Sequence, residues 1–205
     1  MIVIIDYGMG NSGSIANMGR RLGGTWTISA DPDVILQARQ LILPGVGSFD
    51  NGMRNLADLG LIPLLNTLVI ERKIPILGIC LGAQLLTRGS EEGRLPGLGW
   101  IAADTLRFSF PTDQKHLKIP HMGWNSVEPA KSNPVLAGLP SEPRYYFVHS
   151  YFLKCDDPGD VLTWTTYGHR FASAIHRDKI WGTQFHPEKS HKFGMALLKN
   201  FLLLS

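Results

Sequence analysis

The chain has 205 residues, 44% of them apolar and 18% charged, with a formal net charge of +3. That balance excludes a disordered polypeptide, and short, scattered basic clusters such as Arg20-Arg21 and Arg72-Lys73 exclude the basic stripe of a nucleic-acid binder. The two cysteines, Cys80 and Cys155, stand far apart, so no disulfide framework is expected, and the expected setting is the reducing cytoplasm.

Apolar runs of four to six residues recur along the first half, separated by helical or turn-rich segments. Ile2–Ile5 reads as a buried strand. It lacks a basic n-region and is too short for a signal peptide, and no run reaches the ~18 residues of a membrane span. Gly8-Met9-Gly10-Asn11 reads as a turn, after which Ile15, Met18 and Leu22 repeat at helical spacing. Trp26–Ser29 is a second predicted strand, and Asp31-Pro32 a helix N-cap with proline at the first helical position. Gln40–Leu43 is a third strand, ending at Pro44-Gly45-Val46-Gly47. Leu61–Arg72 is a predicted helix and Pro75–Ile79 a fourth strand, followed by a turn and a helix to about Thr87. This alternation implies βαβ units and a parallel sheet covered on both faces, with the chemistry beyond the carboxyl ends of its strands.

The second half reads differently. Trp100–Phe108, Gly123–Val127, Tyr145–Val148, Val161–Thr166, Ala172–Ile175 and Ile180–Phe185 are predicted strands with few helices between them, which suggests antiparallel additions. Phe108–Lys118 reads as a mobile loop, and Lys189–Leu204 as a closing amphipathic helix. With no repeat and no linker, residues 1–205 read as one α/β domain.

Gly78-Ile79-Cys80-Leu81-Gly82, directly after an apolar strand, is the cysteine form of the nucleophile elbow. Glycines flank the tip because side chains there would strike the adjoining backbone. The turn lifts the sulfur onto the start of a helix, where unpaired N–H groups favour a thiolate. A lone cysteine is more often a small buried hydrophobe, so its partners matter. Gln184-Phe185-His186-Pro187-Glu188 supplies them. Pro187 restricts His186 to extended geometry, and in extended chain residues i and i+2 face the same way, which points Glu188 at the imidazole. A base oriented by a carboxylate and facing a thiol is triad logic. His116, His121, His149, His169 and His176 lack this context. His186 and His191 have no cysteine near them, so neither metal nor cofactor is expected. Pro44-Gly45-Val46-Gly47 is either an ordinary tight turn or, with the Leu81 amide, an oxyanion hole.

Together these motifs resemble class I glutamine amidotransferases, and among them the glutaminase subunits of imidazole glycerol phosphate synthases. Asp6–Asn11, Leu43–Phe49, Gly78–Gln84, Pro120–Asn125, Tyr145–Tyr151 and Gln184–Ser190 carry the resemblance, which spans nearly the whole chain. It implies a flavodoxin-like amidotransferase fold and hydrolysis of glutamine to glutamate and ammonia by Cys80, His186 and Glu188. It further implies oxyanion donors at Val46, Gly47 and Leu81, and substrate contacts at Gly47, Gln84, Glu92, Ser150 and Tyr151. The implied partner is a (β/α)8-barrel synthase subunit, forming a heterodimer through Asn11, Trp124, Tyr146 and Lys189. That subunit takes up the ammonia to make imidazole glycerol phosphate and an aminoimidazole carboxamide ribonucleotide in histidine biosynthesis. Ser12 and Thr87-Arg88-Gly89 depart from the family's usual residues. They leave open a paralogue that feeds ammonia to surface-sugar amidation. The other classes are a docking protein without catalysis and a free hydrolase of the same fold.

Overall fold

The computed structural model describes residues 1–114 and 116–204. Lys115, inside the expected Phe108–Lys118 loop, and Ser205, within the expected domain, lie outside the described residues. The strands are β1 (Ile2–Ile5), β2 (Trp26–Ser29), β3 (Gln40–Leu43), β4 (Ile76–Ile79), β5 (Ala103–Arg107) and β6 (His121–Ser126). They continue with β7 (Glu128–Pro129), β8 (Arg144–His149), β9 (Tyr151–Cys155), β10 (Val161–Tyr167), β11 (His169–Arg177) and β12 (Ile180–Thr183). The α-helices are α1 (Ser12–Leu22), α2 (Pro32–Leu36), α3 (Phe49–Asp58), α4 (Leu61–Asn66), α5 (Leu81–Leu85) and α6 (His191–Leu202).

The main sheet runs β2-β1-β3-β4-β12-β11-β10-β7. It is parallel from β2 to β12 and antiparallel beyond, with β9 added against β11 and β5 against β9. Strands β6 and β8 form a separate antiparallel pair. This is a mostly parallel α/β sheet with antiparallel additions in the second half, as the run pattern implied.

Alternation along each strand builds two cores. Ile2, Ile4, Ile42, Leu77 and Ile79 pack with Ile15 of α1 and Leu197 and Phe201 of α6. Val3, Ile5, Leu41, Leu43 and Ile76 pack on the opposite face with Phe49, Leu56, Leu61 and Leu65 of α3 and α4. Successive side chains point to opposite faces, so a strand covered on both sides is apolar at every position. Each such side chain contributes roughly 1.5–3 kcal/mol when fully buried. Among the described residues no single helix is long and apolar enough to cross a membrane.

Several boundaries differ from the sequence reading. The expected helix Leu61–Arg72 stops being α-helical at Asn66 and closes as a wide π turn, with Arg72 N–H bonding Thr67 O. The helix after the elbow ends at Leu85, because Thr87 bonds Gln84 O through both its N–H and its hydroxyl and tightens the last turn. The closing helix begins at His191, after a 3₁₀ turn at Pro187–Lys189. Helix α3 and strands β7 and β9 were not foreseen.

Candidate active site

Strand β4 delivers Cys80 at its carboxyl end. Its backbone sits at φ 54°, ψ −109°, a left-handed conformation that costs a non-glycine residue of the order of 1–3 kcal/mol. Three hydrogen bonds hold it there: Cys80 N–H to Thr183 O on β12 (2.7 Å), and the N–H groups of Ala83 and Gln84 to Cys80 O (3.0 and 3.1 Å). A Cβ on Gly82 would lie 1.8 Å from Leu43 O, and one on Gly78 would lie 2.7 Å from Gly82 O. The glycines are therefore needed for close backbone approach. Helix α5 has only five residues, so the dipole expected to favour a thiolate is limited to one short turn.

His186 follows β12 and is held in extended geometry (φ −102°, ψ 98°), its N–H bonded to Tyr146 O at 2.9 Å. Its Nδ1 meets Glu188 Oε1 at 2.7 Å, both side chains almost fully buried. The contact arises differently from the expectation. Residues 187–189 form a 3₁₀ turn, and that turn, not an extended run, folds the carboxylate back onto the ring. The other ring nitrogen, Nε2, is buried with no hydrogen-bond partner among the described residues. Burial alone would lower the pKa of His186; the nearby Cys80 sulfur and the Glu188 carboxylate outweigh it and raise the pKa. A raised value keeps the imidazolium available to donate a proton.

Cys80 and His186 both line one open cavity of about 260 Å³, together with Val46, Gly47, Leu81 and Gln84. Glu92, Ser150, Tyr151 and Lys189 complete the predicted residues on its wall. Glu92 is held by accepting from Phe49 N–H (2.8 Å), and Gln84 donates to Gln184 Oε1 (3.2 Å). The glycine-rich loop is half engaged. Tyr7, at the end of β1, donates its hydroxyl hydrogen to Pro44 O at 2.5 Å, and Gly45 O accepts from Leu81 N–H at 3.4 Å. The Leu81 donor is thus turned to the loop, not to the cavity. Val46 is 51% exposed, and Gly47 takes φ 129°.

Of the four residues assigned to a partner surface, three sit together. Trp124 and Tyr146 are cross-strand neighbours on β6 and β8, and Lys189 Nζ lies 5.8 Å from the Tyr146 ring. Trp124 is also stacked on His191, and exposed Met122 and Ile119 flank the same rim. Asn11 has another local role. Its side chain accepts from Ser14 N–H (3.1 Å) and caps α1.

Sequence reasoning missed four neighbours of the sulfur and the cavity. Gln184 Nε2 lies 3.8 Å from Cys80 Sγ, and Val148 O lies 4.0 Å from it. His149 and Pro120 line the cavity. All four stood inside the quoted motifs, but nothing local marks which motif residue turns inward.

A thiol and a carboxylate-bound imidazole share one cavity at the carboxyl ends of a parallel sheet, the set of groups that acyl transfer through a cysteine requires. The chain belongs to the class-I glutamine amidotransferases: that family's model matches residues 3–204. Among curated proteins it is similar to imidazole glycerol phosphate synthase subunit HisH 2 of Methanococcus maripaludis, 54% identical over 98% of each chain. It is 50% identical over the whole of both chains to subunit HisH 2 of Pseudomonas aeruginosa, and 44% identical to subunit HisH of Leptospira interrogans, again over the whole of both. Among solved structures, a glutamine amidotransferase of Thermotoga maritima shares the fold, with a TM-score of 0.68 at 16% identity over 98% of this chain and 95% of that one.

Proposed function

We propose that this chain is the glutaminase subunit of an imidazole glycerol phosphate synthase, releasing ammonia from glutamine for a barrel-shaped cyclase subunit in the cytoplasm. Full-length identity to several proteins of that name supports the reading. The observation that carries the chemistry is the meeting of Cys80 and His186 at one cavity, with Glu188 behind the imidazole. Cys80 Sγ attacks the glutamine carboxamide carbon. His186 gives its proton to the departing nitrogen, which leaves as ammonia, and a γ-glutamyl thioester remains. His186, now neutral, takes a proton from water; the hydroxide adds, the thiolate leaves, and glutamate is released. Glu188 holds the ring's tautomer and stabilises its charged form. Glu92, Gln84, Ser150 and Tyr151 bind the amino-acid end of the substrate.

The tetrahedral oxyanion needs N–H donors from Val46, Gly47 and Leu81. Because Leu81 N–H bonds Gly45 O, the loop has to shift before that donor is free. Docking of the cyclase over the exposed rim of Val46, Met122 and Trp124 supplies a cause for that shift. The test uses the complex of both subunits. Cys80→Ala is expected to cut glutamine-dependent synthesis by at least about 10³-fold while synthesis from added ammonia continues. Undiminished glutamine turnover by that variant overturns the assignment.

One observation favours a second reading. Two of the relatives are named subunit HisH 2. A paralogue serving surface-sugar amidation uses the same glutaminase chemistry with another synthase, and an assay of both synthases with this chain separates the two.

A further inference from the structure

Two buried histidines take no part in the mechanism above, and they lie against its substrate wall. His121 and His149 face each other across β6 and β8, with His121 Nδ1 2.9 Å from His149 Nε2. His149 Nδ1 lies 2.6 Å from Tyr151 O, and Asn125 Nδ2 lies 3.2 Å from His121 Nε2 and 3.0 Å from Thr166 O. The direction of every proton follows from one fact: a carbonyl oxygen only accepts. His149 Nδ1 therefore donates to Tyr151, which leaves Nε2 of the neutral ring an acceptor. His121 Nδ1 donates to it, and His121 Nε2 accepts from Asn125, whose second hydrogen goes to Thr166 O. These polar contacts are all satisfied in one order, with both rings neutral. Burial favours that state, pushing the pKa of His121 down to about 4 and that of His149 to about 3.

The chain of bonds ends at the turn from β8 to β9. There Ser150 O accepts from Phe108 N–H at 3.1 Å, and Tyr151 O accepts from His149. In a trans peptide the C=O and the following N–H point opposite ways, so tying Ser150 O to Phe108 turns the Tyr151 N–H away from Phe108. Both carbonyls of the cavity-lining turn are thus pinned, one by backbone and one by an imidazole. A ring stack of His121 on Phe147 and Tyr167 (4.8 and 4.1 Å between centroids) holds the donor in place.

We infer that His149 and His121 are positioning residues for glutamine: their ordered hydrogen bonds set the Ser150–Tyr151 turn that receives the substrate's amino-acid end. This rests on the glutaminase reading. It assigns the histidines of the P-H-M-G-W-N and Y-F-V-H-S-Y segments to substrate affinity and not to proton transfer. It also ties the strand bearing exposed Met122 and Trp124 to the substrate turn through side chains, not backbone alone.

The experiment measures glutamine KM and kcat for the two-subunit complex. His149→Leu removes the donor, and His149→Asn keeps one near the Nδ1 position. His149→Leu is expected to raise the glutamine KM about tenfold with kcat little changed, and His149→Asn to recover most of that loss. His121→Phe keeps the ring stack but removes the donor to His149. It is expected to raise KM about threefold and carries the test if His149→Leu does not fold. Synthesis from added ammonia stays at the wild-type rate throughout. A fall in kcat at constant KM, equal KM for the Leu and Asn variants, or a wild-type KM in His121→Phe overturns the inference. A wild-type complex that releases no glutamate instead overturns the glutaminase reading itself.

Discussion

The elbow and the glycine-rich loop lie side by side at the ends of β4 and β3, yet they are built to opposite specifications. The elbow is over-determined. Three backbone hydrogen bonds and two glycines without room for a Cβ hold Cys80 in a strained conformation. Among the described residues the loop is anchored at its start, by Tyr7 on Pro44 O, by Leu81 on Gly45 O and by the close packing of Gly45 on Gly82, while Val46 is half exposed. A nucleophile gains from one immovable position. An oxyanion hole that waits for a partner gains from a peptide that can turn. In the mechanism proposed above, the adjustable part is then the Pro44–Gly47 loop, and the sulfur stays fixed.

Alanine substitutions break that comparison most directly. Gly82→Ala puts a Cβ 1.8 Å from a backbone oxygen that cannot move without β3, and is expected to cost about 3 kcal/mol or more in denaturant unfolding. Gly47→Ala meets Met9 Cε at 2.6 Å, the flexible end of a side chain, and strains φ. It is expected to cost about 1–2 kcal/mol of stability yet about 10²-fold in glutaminase rate. Equal stability losses for the two variants would erase the distinction between rigid elbow and adjustable loop.

A milder change acts on the charge behind the imidazole. Glu188→Gln keeps a hydrogen-bond acceptor but removes the negative charge, and is expected to lower kcat by about 10–100-fold. Because Glu188 helps to raise the His186 pKa, its neutral replacement lowers it, so the imidazolium is lost earlier as pH climbs. The alkaline limb of the kcat profile should then move to lower pH. An unmoved limb would assign it to another group.

A further expected effect, spread over several pH units, is on acid stability. His121 and His149 have folded-state pKa values of about 4 and about 3, below the 6.5 of a free histidine. Between those values the unfolded chain binds more protons than the folded one, so stability is full above the unfolded pKa and falls as pH drops through the window. The slope is at most about 1.4 kcal/mol per pH unit for each ring. His121→Phe should flatten it, as read from urea midpoints; an unchanged slope would place the acid sensitivity elsewhere.

The parts of the molecule that sequence displays are those built from local rules. The elbow, the H-P-E run and the four N-terminal strands each announce themselves within a few residues, by glycine spacing, by proline or by an apolar run. Helix α3 went unread because it starts inside the Pro44–Phe49 motif, and Phe49, Met53 and Leu56 are its only large apolar side chains on the core face. Strand β9 starts just after β8 ends, so the Y-F-V-H-S-Y segment reads as one strand end. Glu188 was matched to His186 by extended geometry, whereas a 3₁₀ turn makes the contact. The His121–His149 pair joins residues 28 apart through the register of two strands, and no local pattern encodes that.

The hydrogen bond from Cys80 N–H to Thr183 O joins positions separated by half the polypeptide. During translation at roughly 5–20 residues per second, the sulfur leaves the ribosome several seconds before its imidazole does. Through that interval β4 has no β12 beside it, and the elbow has neither its brace nor its base. In the proposed mechanism, a nascent chain that has not yet reached residue 186 therefore consumes no glutamine.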